Sequence, residues 1–166
     1  LLPNTLLNDD ERNPLGVDTN ENPISLSMVE DKANVTITGN CFVFQLPNGH
    51  FIINDGNTND GSGAILKAYL QELVGEGKPI YIDAWTLTHF HNDHGGALMD
   101  MINDPSLREN VYVEALHVNE ASIYAQTTYK EGGSAYEHTE RILEGARRLK
   151  RSDSSSPVVY QVHMGQ

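Results

Sequence analysis

Cysteine occurs once in the 166 residues. A disulfide framework and a cysteine-rich zinc site each need more than one thiol, so both are excluded within the chain. Cys41 lies in the apolar run Cys41-Phe42-Val43-Phe44 and reads as a small buried residue. Long apolar runs are missing as well. No stretch approaches the ~20 residues that a membrane-spanning helix needs, and no signal-peptide pattern is visible. A membrane is therefore not an expected partner. Cations are scarce: 11 Lys and Arg stand against 23 Asp and Glu, a net charge of −12. Nucleic-acid binding generally asks for a basic face, so this balance argues against it, although a metal ion can hold phosphate by itself. Nothing in the sequence assigns a compartment.

What the chain does have is histidine in one place. The run Thr88-His89-Phe90-His91-Asn92-Asp93-His94-Gly95-Gly96 puts three imidazoles and a carboxylate within six residues. Neutral imidazole and carboxylate are ligands that zinc, iron and manganese share. An extended backbone points residues i and i+2 to the same side, so His89 and His91 are placed to grip one ion. If the chain turns after His91, Asp93 and His94 reach a second ion beside it, at the ~3.5–4 Å typical of two-metal hydrolytic sites. The alternative, a surface histidine tract of the tag type, is usually homopolymeric and terminal, and this run is neither.

The surrounding pattern is that of one α/β domain. Residues 1–23, rich in Asn, Asp and Pro, read as a flexible leader. The domain proper is expected over 24–166. Strands are predicted over 24–29 and 34–38. A hairpin follows, 41–46 and 50–54, around Pro47-Asn48-Gly49, because an Asn-Gly pair tolerates the positive φ of a tight turn. His50 reads as an exposed turn residue. Ile65, Leu66, Tyr69, Leu70, Leu73 and Val74 recur at helical spacing and predict a helix from 62 or 63 to 74, ended by Gly75 and Gly77. A strand over 80–87 leads into the histidine run. Gly95-Gly96 is expected to make the turn, with a short helix over 97–103 stopped by Asp104-Pro105. A single strand is predicted over 111–118, a helix over 135–150 capped by Ser134, and a last strand over 157–162. Arg147, Arg148, Lys150 and Arg151 crowd the end of that helix and suit its dipole. Strands and helices that alternate in this way imply helices covering a mixed sheet.

These residues resemble the metallo-β-lactamase-fold hydrolases. The carrying motif is His89-x-His91-x-Asp93-His94, similar to the family's H-x-H-x-D-H signature. Gly39-Asn40-Cys41-Phe42-Val43-Phe44 and Ile52-Ile53-Asn54-Asp55-Gly56 are similar to its opening hairpin. The likeness covers about residues 35–118. It implies the first half of an αββα sandwich, with the domain truncated at its C-terminus, because the family's second half, bridging acid and later histidines all follow the signature. It also implies two zinc ions, with iron or manganese as substitutes. His89 and His91 would hold the first ion, and Asp93 and His94 the second. Asp93 would also orient the nucleophile, and Asp55 would orient a ligand by hydrogen bond. Asp55 equally fits a turn-forming role. His163, just past the last strand, is the candidate for a third histidine ligand. His117 reads instead as a buried structural residue, and His138 as lying outside the site.

The activity implied is hydrolysis of a small-molecule ester, amide, lactone or phosphodiester by metal-bound hydroxide. Four ligands divided over two ions fall short of the three protein groups plus water of a catalytic zinc. The full-length protein is therefore expected to be the enzyme, and this chain alone to be inactive. A second reading is a degenerate domain that acts as an interaction module. It would pair as a homo-oligomer through an exposed sheet face.

Overall fold

A computed structural model of the chain describes residues 25–28, 39–58, 61–119 and 141–162. The described strands form one seven-stranded mixed sheet in the order β1-β2-β3-β4-β6-β7, with β5 also paired to β4. The strands are β1 (Ser25–Met28), β2 (Cys41–Gln45), β3 (Phe51–Asp55), β4 (Ile80–Leu87), β5 (Val111–Val113), β6 (Ala115–Val118) and β7 (Val158–Gln161). β1, β2 and β3 pair antiparallel with one another in that order, and β3, β4, β6 and β7 run parallel. Parallel neighbours need crossover connections. The helices α1 (Ser62–Val74) and α2 (Asn92–Asn103) lie in two of those crossovers, and α3 (Pro105–Arg108) follows α2 directly.

The Asn-Gly hairpin forms as its residues predict, with Gly49 at φ 82° and register Cys41↔Asp55 through Gln45↔Phe51. Helix α1 has the predicted bounds. Its first turn lacks a side-chain cap of its own, and Asp100 of α2 supplies an acceptor instead, Gly63 N–H donating to Oδ2 at 3.0 Å. This bond ties the two helices together at the positive end of the α1 dipole.

Alternation in the strands separates two faces. Phe51, Ile53, Ile80, Ile82, Trp85 and Leu87 are fully buried, and they join Leu66 and Leu70 of α1 with Leu98, Met101 and Ile102 of α2 in one core. Each such side chain contributes about 1.5–3 kcal/mol by leaving water. On the other face Phe42, Phe44, Ile52, Tyr81, Tyr112 and His117 are only half-buried. A β-bulge between β3 and β4 shifts the pairing from Phe51↔Ile82 to Ile52↔Ala84.

Four expectations are corrected. Helix α2 begins at Asn92, so Gly95 and Gly96 are helical and do not make the turn. The reason is contact: a Cβ on Gly96 would lie 2.0 Å from the carbonyl oxygen of Thr58, so Gly96 lets the helix approach the 56–58 loop, while Gly95 packs against Ile142. The expected strand over 111–118 breaks at Glu114, whose side chain turns to the 151–152 loop. His50 is half-buried rather than exposed. Its Nδ1 lies 2.7 Å from Asp83 Oδ1, and its ring stacks on Tyr81. His117 is half-buried on the open face and stacks on Tyr160, so it is not a core histidine.

Helical structure at 141–145 tightens to a 3-10 turn over Ala146–Arg148, with Ile142, Ala146 and Leu149 buried. The strand predicted over 34–38, the cap Ser134 and the first part of the 135–150 helix, His138, His163 and the leader all lie outside the described residues. No described helix is long and apolar enough to cross a membrane.

Candidate metal centre

Two parallel strands end side by side here. Asp55 is the last residue of β3, and Thr88 follows the last residue of β4. Beyond them the chain must turn, and it does so through residues that tolerate positive φ: Asp55 and Asn57 both sit at φ 60°. Asn57 N–H donates to the carbonyl of Asn40 at 2.8 Å, and Gly96 and Ala97 N–H donate to Asn57 and Gly56 carbonyls at 2.9 and 2.8 Å. Gly39 closes the same corner. Its hypothetical Cβ would lie 2.3 Å from the backbone oxygen of Asp93. The start of α2 is thus clamped from two loops, and the histidine run is held where β4 delivers it.

His91 caps α2 in an extended conformation, φ −76° and ψ 157°, and Asp93 stands in the first helical turn. The result is a cluster of three of the four residues that the spacing singled out, with Asp93 joining the His89–His91 pair rather than pairing with His94. The ligand atoms of His89, His91 and Asp93 all lie within 4.8 Å of one another. The His89 ring is 4.6 Å from that of His91, nearly perpendicular to it, and 3.9 Å from that of His94. Two donors on one ion at bond lengths of ~2.0–2.2 Å stand at most about 4.4 Å apart, so small side-chain rotations close this set onto an ion. Neutral nitrogen is required for that. Burial holds the His89 imidazole below its usual pKa, and the neighbouring His94 and His91 act in the same direction against Asp55 and Asp93. By donor chemistry and spacing the set could hold a metal ion.

His94 is set by a different contact. Its Nδ1 lies 2.9 Å from Asp55 Oδ2, and its Nε2 lies 3.6 Å from Asp93 Oδ2. Asp55 is 2% exposed, and a buried carboxylate needs donors. It has several: Thr88 N–H at 2.8 Å, the Thr88 hydroxyl at 2.9 Å, Asn54 Nδ2 at 3.4 Å and His94. Its backbone oxygen accepts from Trp85 Nε1 at 3.0 Å. Asn119 Nδ2 donates to the Thr88 carbonyl at 3.0 Å and steadies the end of β4.

The geometry therefore brings together His89, His91 and Asp93, puts His94 beside them and seats Asp55 behind His94. Thr88 is the site residue that sequence reasoning missed. Its place in the Thr-His-x-His run was visible, but a lone hydroxyl beside four stronger ligands carries no signal until its partners are known. Cys41, paired with Asp55 in the hairpin, is buried, and burial together with the Asp55 charge pushes its thiol up to about 12. It is a packed thiol and not a ligand in waiting.

No protein-family model and no curated protein matches the chain.

Proposed function

We propose that this chain carries the metal-binding part of a metal-dependent hydrolase of the metallo-β-lactamase kind. The observation that carries the reading is the convergence of His89, His91 and Asp93 at the C-terminal end of β4 and the N-terminus of α2. Such strand ends are where open α/β sheets bind ligands. The mixed sheet, the antiparallel hairpin ending in Asp55-Gly56 and the histidine run after β4 agree with the resemblance seen in the sequence.

His89, His91 and Asp93 would hold an ion, with His94 in reach of Asp93 for a second. Zinc is the first choice, and iron or manganese accept the same donors. When bound, the ion supplies an activated water near neutral pH and takes up charge on a substrate oxygen. The chain's own groups do the rest. Asp93 accepts a proton or hydrogen bond from the nucleophile. The substrates proposed are small esters, amides, lactones or phosphodiesters.

The test is hydrolysis of generic ester and phosphodiester substrates with added zinc or manganese. Turnover that needs metal and is lost in His91→Ala supports an enzyme. Tight metal binding without turnover agrees with a metal-binding part that is inactive alone, and the absence of tight metal binding supports the second reading, an interaction module. The half-exposed face with Phe42, Phe44, Ile52, Tyr81 and Tyr112 favours that second reading, as do the exposed Val158, Val159 and Tyr160. It predicts homo-oligomers by sedimentation, and a monomer at all concentrations contradicts it.

A further inference from the structure

The hydrogen bonds around Thr88 leave little freedom in where the protons go. Asp55 is a carboxylate and only accepts. Both of its oxygens lie 2.9 Å from Thr88 Oγ1, so the single hydroxyl proton of Thr88 points to Asp55. Two oxygens without a proton between them would repel at that distance. With its proton committed, Thr88 Oγ1 has only lone pairs to offer. His89 Nδ1 and His94 Nδ1 each lie 3.2 Å from it. Both nitrogens must then be donors. His94 Nδ1 meets the same requirement independently, because its other neighbour is Asp55 Oδ2 at 2.9 Å.

We propose that Thr88 is a positioning residue: its hydroxyl, together with Asp55, fixes His89 and His94 as Nδ1–H tautomers and leaves both Nε2 lone pairs free for a metal. The inference rests on the reading of the site as a metal centre, yet the proton positions belong to the metal-free chain and can be measured there. The hydroxyl works as a relay. It converts one buried carboxylate into an orienting acceptor for two imidazoles, His94 directly and His89 at one remove. An imidazole free in solution has no such restraint, and which nitrogen is free is set by the bond the other one makes. His91 has no comparable acceptor among the described residues, so its tautomer is not fixed in this way.

The experiment is long-range proton–nitrogen correlation spectroscopy of the histidine rings in the full chain, metal-free and at a pH where the rings are neutral. The expected result is Nδ1–H for both His89 and His94 in the wild type. Thr88→Val, which removes the hydroxyl and keeps the shape, is expected to move His89 toward Nε2–H and to leave His94 held by Asp55. Thr88→Ser is expected to restore the wild-type pattern. In parallel, zinc affinity is expected to fall about 10–100-fold in Thr88→Val and to recover in Thr88→Ser. His89 found as Nε2–H in the wild type overturns the proposal, and this outcome needs no variant to fold. A His89 tautomer unchanged in a folded Thr88→Val also overturns it. If the tautomers are as stated and the wild type binds no zinc, the proton lock stands and the metal reading falls.

Discussion

A carboxylate that is 2% exposed and meets four donors holds the candidate site together. Asp55→Asn tests its weight. Asparagine keeps the size, removes the charge and brings an NH2 that must face either Thr88 or His94. Facing His94, it donates to Nδ1 and selects the opposite tautomer, with Nε2 carrying the proton that blocks a metal. Zinc affinity is expected to fall about 10–100-fold, and unfolding stability by about 1–3 kcal/mol for the buried donors left without an acceptor. Calorimetric zinc titration and urea denaturation check the two effects separately. At this scale the sequence was most informative for strong ligands. Histidines two apart on an extended run point the same way by backbone geometry alone, so His89 and His91 were legible. Thr88 was not, because a hydroxyl acquires its role only from Asp55, 33 residues away.

Elements with regular apolar spacing were legible to the residue, as α1 and β4 show: period alone sets their buried face. The start of α2 was not. Gly95-Gly96 reads as a turn by propensity, whereas the fold uses Gly96 for contact with the 56–58 loop, and tertiary packing overrides the local preference. Gly96→Ala is therefore expected to destabilise the chain by about 1–3 kcal/mol despite alanine's better helix propensity. Denaturant midpoints decide the sign. The break between β5 and β6 was likewise invisible, because it depends on Glu114 reaching Arg151 Nε at 2.9 Å and Ser152 N–H at 2.8 Å. These bonds, that from Ser152 first, hold the Glu114 carboxyl below its usual pKa. A depressed carboxylate pKa adds stability above the unfolded-state value, about 4.3, and that stability is lost as pH falls through the folded value. Glu114→Gln is expected to melt below the wild type at pH 7, with the gap narrowing in acid below the ordinary glutamate range. An equal gap at pH 7 and in acid contradicts this assignment.

For the whole molecule, the mixed sheet with helices on its buried face follows from alternation and helical period. The proposed family rests on the sequence resemblance alone. The open face carries half-buried apolar groups in a chain of net charge −12. His163, the third histidine ligand expected from the sequence, lies outside the described residues. The account turns on whether His89, His91 and Asp93 act as one ligand set. Calorimetric titration of the metal-free chain with zinc, run beside His89→Ala and His91→Ala, tests that most directly. The prediction is about one tightly bound ion in the wild type and at least a hundredfold weaker binding in each variant. No tight binding in the wild type, or equal binding in all three proteins, contradicts it.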